Sequence, residues 1–101
     1  ALQILRQAQQ AAPRYSPIYS AFARIYLAHA DYQKAADILQ QGNQLTGDND
    51  PEIHYFLGLA NFYRGDIETA RRYAQKASQA NYPFKTLSRK LDEYAAKQKS
   101  D

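Results

Sequence analysis

The chain repeats itself at a spacing of 35 residues: Asp31, Tyr32 and Ala35 return as Asp66, Ile67 and Ala70. A fixed period of this size marks a supersecondary unit that cannot bury its apolar face alone and must stack on a neighbour. Each unit reads as helix, short turn, helix. In "SPIYSAFARIYLAHA" Ser16 reads as the N-cap and Pro17 stands at the first helical position, where its missing N–H costs nothing. Ile18, Phe22, Ile25 and His29 follow at helical spacing, with Tyr19, Ala23 and Tyr26 as a second row. Asp31 caps a further helix with Ala35, Leu39 and Gly42 on one face, and "TGDND" breaks it. Asp50 and Pro51 repeat the cap-then-proline start, ahead of a stripe of Ile53, Phe56, Leu57 and Ala60. Gly65 ends that helix, Asp66 caps the next, and Ile67, Ala70, Ala74 and Ala77 line up until "NYP" at 81–83.

Composition narrows the class of protein. The 101 residues are 45% hydrophobic and 23% charged, enough for one small globular domain. No apolar run reaches the roughly 20 residues a membrane span needs. The absence of Cys removes disulfides, thiol catalysis and cysteine-bound metal, and fits cytoplasm and periplasm equally. A start at Ala1, without Met and already helical in pattern, predicts a fragment of a longer chain. The net charge of +3 is unevenly spread: residues 64–99 hold nine Lys or Arg against four Asp or Glu, residues 1–63 four against five. Such a run reads as a solvated helix face or as a docking site for acidic peptide or nucleic acid.

Catalytic chemistry is scarce. His29 and His54 are 25 residues apart, and neither has a His, Asp or Glu at i+4. His29 falls near a helix C-terminus, where a cation is favourable, and His54 in a first turn, packing against the preceding unit. Ser16, Ser20, Ser78 and Ser88 lack a nucleophile-elbow context. Asp92 and Glu93 are adjacent, so on a helix they point about 100° apart and make no acid–base pair. The reading is a non-enzyme with no catalytic residue, no metal and no cofactor.

Two glycines carry structural expectations. Gly65 stands just past a helix end, where a left-handed backbone is wanted. Gly58 lies inside a helix and costs roughly 1 kcal/mol relative to Ala. Its counterpart in the first unit is Ala23, and Ala35 and Ala70 follow twelve positions on, so small residues are expected to face each other between antiparallel helices.

With Leu57-Gly58, Gly65-Asp66, Ala70 and Ala77 at its spacing, the second unit resembles the tetratricopeptide repeat family. The first keeps Tyr26, Asp31-Tyr32 and Ala35, with Phe22-Ala23 in the Leu-Gly place, Ala30 in the turn-glycine place and Gly42 where Ala is usual. Asn61 stands where the family prefers Tyr, with Phe62 beside it to compensate. Ala1, Ala8 and Pro13 have the spacing of a late repeat segment. The resemblance implies an all-α superhelical solenoid of antiparallel hairpins: residues 1–13 as the second helix of an incomplete repeat, units over 16–50 and 51–84, and a capping helix and tail over 85–101. In "KTLSRKLDEYAAKQ" Leu87, Leu91, Tyr94 and Ala95 would form the buried face of that cap. Leu2, Leu5 and Ala8 of the unpaired first helix would be covered by upstream chain or by a second molecule, a route to a homo-oligomer.

Members of this family grip an extended peptide or a partner helix along their concave wall. In the family's register that wall comprises Ser20, Arg24, Leu27 and Ala28, then Glu52, Tyr55, Leu59, Phe62 and Tyr63, with Arg89 from the cap. The partner-binding residues expected are Ser20, Arg24, Leu27, Tyr55, Leu59, Phe62, Tyr63 and Arg89. Tyr55, Leu59 and Phe62 recur at i, i+4 and i+7 as a second apolar stripe, either covered by the next helix or offered to a partner. Arg24 and Arg89 are its anionic handles. The carboxylate clamp of chaperone-docking members is absent, because Ser20, Arg24 and Phe56 occupy its Lys and Asn places. The function implied is a protein–protein interaction scaffold, by analogy with bacterial relatives in envelope assembly or secretion. No nucleic acid is expected; the alternatives are a nucleic-acid-binding helical repeat and the regulatory part of a larger enzyme.

Overall fold

In the computed structural model, which describes residues 2–100, six helices follow one another: α1 (Leu2–Ala11), α2 (Ser16–Ala28), α3 (Tyr32–Leu45), α4 (Pro51–Tyr63), α5 (Ile67–Gln79) and α6 (Thr86–Ser100). Ala1 and Asp101, included above in the incomplete repeat and in the tail, lie outside the described residues. Local signals account for the starts. The Asp50 carboxylate accepts hydrogen bonds from the backbone N–H of Glu52 (2.9 Å) and Ile53 (3.4 Å), with Pro51 at the first position. Asp66 accepts from Thr69 N–H at 3.2 Å, and hydrogen bonding from Thr69, through its side chain first and its backbone second, holds the Asp66 carboxyl below the usual range. Asp31 occupies the cap position of α3 without a side-chain bond, and Tyr15 rather than Ser16 caps α2, which already begins at Ser16.

Each helix packs on its chain neighbours, and α4 also packs on α2 and α6, whereas the backbones of α1 and α3, and of α3 and α5, stay apart. Helices α2, α4 and α6 therefore form one layer and α1, α3 and α5 the other. The layer whose members touch is the inner, shorter arc, so the 49 × 28 × 19 Å array curves with α2, α4 and α6 on its concave side. The core runs between the layers from Tyr19, Ala23 and Leu39 through Ile53, Leu57 and Ala60 to Ala70, Ala77 and Leu87. No residue of α1 is buried, and Ile4 is 70% exposed.

Turn geometry follows the repeat. Gly65 has φ +93°, and Ala30, at the equivalent place, is driven to φ +59° despite its Cβ. Gly58 answers to a neighbour that pattern did not identify. A Cβ there would lie 3.4 Å from the Ala70 carbonyl oxygen, but it would collide with Leu87 Cδ2 of α6. The close approach is thus to the capping helix more than to Ala70. Gly42 has a larger role than its place in the repeat implied, since the Tyr19 ring occupies the space an Ala methyl would take. Tyr19 is fully buried and its hydroxyl donates to the Pro13 carbonyl, which ties α2 to the segment after α1.

One further expectation is corrected and another is extended. Asn61 is buried, donating to Leu57 O at 2.8 Å and accepting from Arg64 Nη1 at 2.7 Å, and Arg64 Nε reaches Gln33 of α3 at 3.2 Å. Phe62 does not take the place of the missing aromatic; it faces Tyr94 of α6. A polar cleft of about 260 Å³ consequently opens where α3 and α5 diverge over α4, lined by residues such as Gln33, Asp37, Asn61 and Thr69. His54 reaches both ways: its Nε2 lies 2.8 Å from Asp48 Oδ1 at the end of the preceding unit, and its ring also stacks on Tyr73 of α5 with centroids 5.7 Å apart.

Asp48 ties three helices together from the α3–α4 turn. Its carboxylate also accepts from Lys76 Nζ of α5 at 2.6 Å and Asn43 Nδ2 of α3 at 2.9 Å. The hydrogen bond from Lys76, then that from Asn43, hold its carboxyl well below the ordinary carboxylate value. A carboxyl depressed on folding contributes stability that is fully present above its unfolded value and is lost as pH falls towards its folded one. Half of the Asp48 side chain is exposed, so water screens the pairing and the contribution is about 1 kcal/mol or less. Urea midpoints should therefore fall further between pH 7 and pH 3 for the parent than for Asp48→Asn, whose amide keeps the left-handed φ of +59° accessible. Equal losses would remove Asp48 from the acid response.

Candidate functional site

The inner layer holds every side chain that pattern placed on the concave wall, but it does not leave them equally accessible. Ser20 is 2% exposed, Tyr55 6% and Leu59 8%. The stripe formed by Tyr55, Leu59 and Phe62 is largely closed by α6 and the chain leading into it: Tyr55 meets Tyr82 at 4.9 Å and Phe84 at 6.1 Å between ring centroids. Of the two readings of that stripe, burial describes its first two positions, with Tyr55 covered by the connection that leads into α6. Ser20, Tyr55 and Leu59 thus support the wall from within. Arg24, Leu27, Phe62, Tyr63 and Arg89 remain wholly or partly at the surface.

Arg24 is less of a free handle than its charge implied. Its guanidinium lies 5.5 Å from the centre of the Phe56 ring, and Nη2 is 4.0 Å from Glu52 Oε2. The same carboxylate accepts from the Tyr82 hydroxyl at 3.4 Å. Burial, reinforced by the Glu52 charge, pushes the Tyr82 phenol up to about 12, so it stays protonated and remains a donor. One end of the wall is therefore internally compensated.

The other end is not. Tyr63, 40% exposed, stacks on Tyr32 with centroids 5.0 Å apart and carries the Lys90 ammonium 5.3 Å from its ring centre. Hydrogen bonding with Tyr63 holds Lys90 above its ordinary value and therefore charged. Beside this group Phe62 meets Tyr94 edge to face, with centroids 6.4 Å apart. A cleft of about 260 Å³ opens there, lined by Phe62, Lys90, Glu93, Tyr94 and Lys97. Lys90, Lys97 and Glu93 did not emerge from pattern, although their i, i+3 and i+7 spacing puts all three on one face of α6. Phe84, 59% exposed, was likewise missed, since it belongs to a connecting segment without periodicity.

Among the described residues no three His, Cys, Asp or Glu side chains gather as a metal site, and no helix is long and apolar enough to cross a membrane. His29 donates through Nδ1 to Ile25 O at 2.9 Å and acts as a helix terminus.

A family model of the tetratricopeptide repeat matches residues 1–60, more than half of the chain, from α1 through most of α4. Searches of curated proteins and of solved structures gave no match.

Proposed function

Because the chain belongs to the tetratricopeptide repeat family, whose repeats generally mediate protein–protein interaction, we propose that it is a non-catalytic scaffold holding a peptide or partner helix on the wall made by α2, α4 and α6. The observation that carries this reading is the exposed aromatic and cationic end of that wall, with Phe62, Tyr63 and the α6 lysines side by side. Aromatic side chains bring large contact area at low entropic cost and are common at binding hot spots. Arg24, Leu27 and Arg89 extend the surface, while Ser20, Tyr55 and Leu59 keep its helices in place. On this reading residues 1–13 are the second helix of an incomplete repeat, 16–50 and 51–84 are repeat units, and 85–101 form the cap. A role in bacterial envelope assembly or secretion belongs to the same proposal and rests on analogy alone.

The test is selection of a random peptide library on the intact chain, followed by anisotropy titration of the enriched peptides. A Phe62→Ala, Tyr63→Ala variant should bind them about tenfold or more weakly, the loss of one hot-spot cluster. Gln75→Ala, at an exposed position of α5 in the outer layer, should bind like the parent. Enriched peptides that bind parent and wall variant equally would place the working surface elsewhere.

A further inference from the structure

We infer that the cleft between α4 and α6 takes an acidic segment of a partner protein, with an apolar side chain packing onto the Phe62 and Tyr94 rings and flanking carboxylates meeting Lys90 and Lys97. This deepens the proposed function and rests on its reading of the wall as a peptide surface. Charge complementarity identifies the occupant. Among the described residues neither Lys90 nor Lys97 forms an ion pair, whereas Arg24 at the opposite end is engaged by Glu52. The cations of the wall that form no ion pair therefore lie on α6, with Glu93 offsetting part of their charge, within the stretch of residues 64–99 where basic side chains outnumber acidic ones nine to four.

Chemistry makes the two lysines suitable for this role. An ammonium on a flexible stem is a point charge that meets Asp or Glu without the planar match an Arg fork requires. A single exposed pair in water contributes little. Two cations beside an aromatic cleft do more, because the apolar side chain displaces water and lowers the local dielectric around both pairs. Glu93 lines the same cleft and stands about one helical turn from each lysine along α6. It repels a carboxylate placed centrally and so favours an apolar residue in the centre with acidic residues on either side. The same Glu93 disfavours a nucleic-acid strand, whose regularly spaced phosphates need an unbroken basic track to accompany base stacking.

The experiment uses the intact chain and the same random peptide library, read for composition as well as binding. Enriched peptides should carry Asp or Glu on both sides of Leu, Phe or Trp. They should bind a Lys90→Glu, Lys97→Glu variant about tenfold or more weakly, as expected on reversing interfacial charges. Affinity should fall as salt rises, and Glu93→Gln should bind a few times more tightly. Circular dichroism of both variants guards against a folding defect, and Glu93→Gln keeps the test informative if the double variant is unstable. Enriched peptides that lack acidic residues, or that bind the charge-reversed variant undiminished, overturn this inference and leave the peptide-binding wall intact. Failure to enrich any peptide overturns both. Displacement of acidic peptides by a single-stranded oligonucleotide would assign the cleft to nucleic acid instead.

Discussion

Replacing Leu87 by Ala should cost about 2–5 kcal/mol, as expected for a fully buried Leu that leaves a cavity. That is a large share of the roughly 5–15 kcal/mol available to a domain of this kind. Leu87 is 1% exposed, and together with Leu91 it supplies the buried anchors of α6. Its Cδ2 fills the space that Gly58 leaves open by lacking a Cβ. Hydrogen exchange of Leu87→Ala should show α6 losing protection before α4 and α5, because α6 packs on those two helices and no others. Undocking would expose Tyr55 and Leu59 and raise binding of a hydrophobic dye.

A double-mutant cycle makes the expectation sharper. Gly58→Ala alone pushes a methyl into Leu87, whereas in the Leu87→Ala background that methyl enters a vacated space. The pair should therefore be less destabilised than the sum of the singles by about 0.5–3 kcal/mol. Strict additivity, or a loss below about 1 kcal/mol for Leu87→Ala, would show that α6 is not held by this contact.

Gly42→Ala carries the second large effect, and its sign opposes intrinsic propensity. On an isolated helix, Ala in place of Gly stabilises by about 1 kcal/mol. Here the new methyl would stand 2.7 and 2.8 Å from Tyr19 Cδ1 and Cδ2, and closer still to Cγ. These atoms lie at the base of the ring and cannot swing away as the end of a Leu can. The Tyr19 hydroxyl, bonded to the Pro13 carbonyl, holds the far end of the same side chain. Overpacking of this kind costs about 1–3 kcal/mol and occasionally more. The urea midpoint of Gly42→Ala should fall below that of the parent; a rise would mean that Tyr19 repacks freely and that Gly42 has no steric role.

Gly42 and Gly58 mark where pattern stops being informative. Both are helical glycines at repeat positions reserved for small residues, and sequence reading paired Gly58 with Ala70 because their spacing recurs in the first unit. The tighter neighbours are Leu87 and Tyr19, which the repeat register does not place. Gly58 meets its neighbour because α6 docks on α4; Gly42 meets its neighbour because a Tyr of α2 turns its ring across α3. Side-chain packing between elements has no period, so it leaves no signature along the chain.

The wall divides in the same way. Register placed Ser20, Arg24, Leu27, Tyr55, Leu59, Phe62, Tyr63 and Arg89 on the first helices and the cap, but it could not separate supporting residues from accessible ones. That separation depends on how far α6 and the aromatic pair Tyr82 and Phe84 reach across α4. Asn61 gives the converse case: its departure from the family's Tyr is visible in sequence, and its consequence, a polar cleft bridged by Arg64 and Gln33, is not.

By itself the sequence determined the helices, their turns and their stacking order, because caps, prolines, apolar rows and the 35-residue period are local or regular signals that each residue carries with it. Only the tertiary structure decided which apolar stripe is buried, which cation is already paired and where an open cleft remains. Those outcomes depend on distances between helices far apart in the chain, and a few ångströms separate a covered side chain from one offered to a partner.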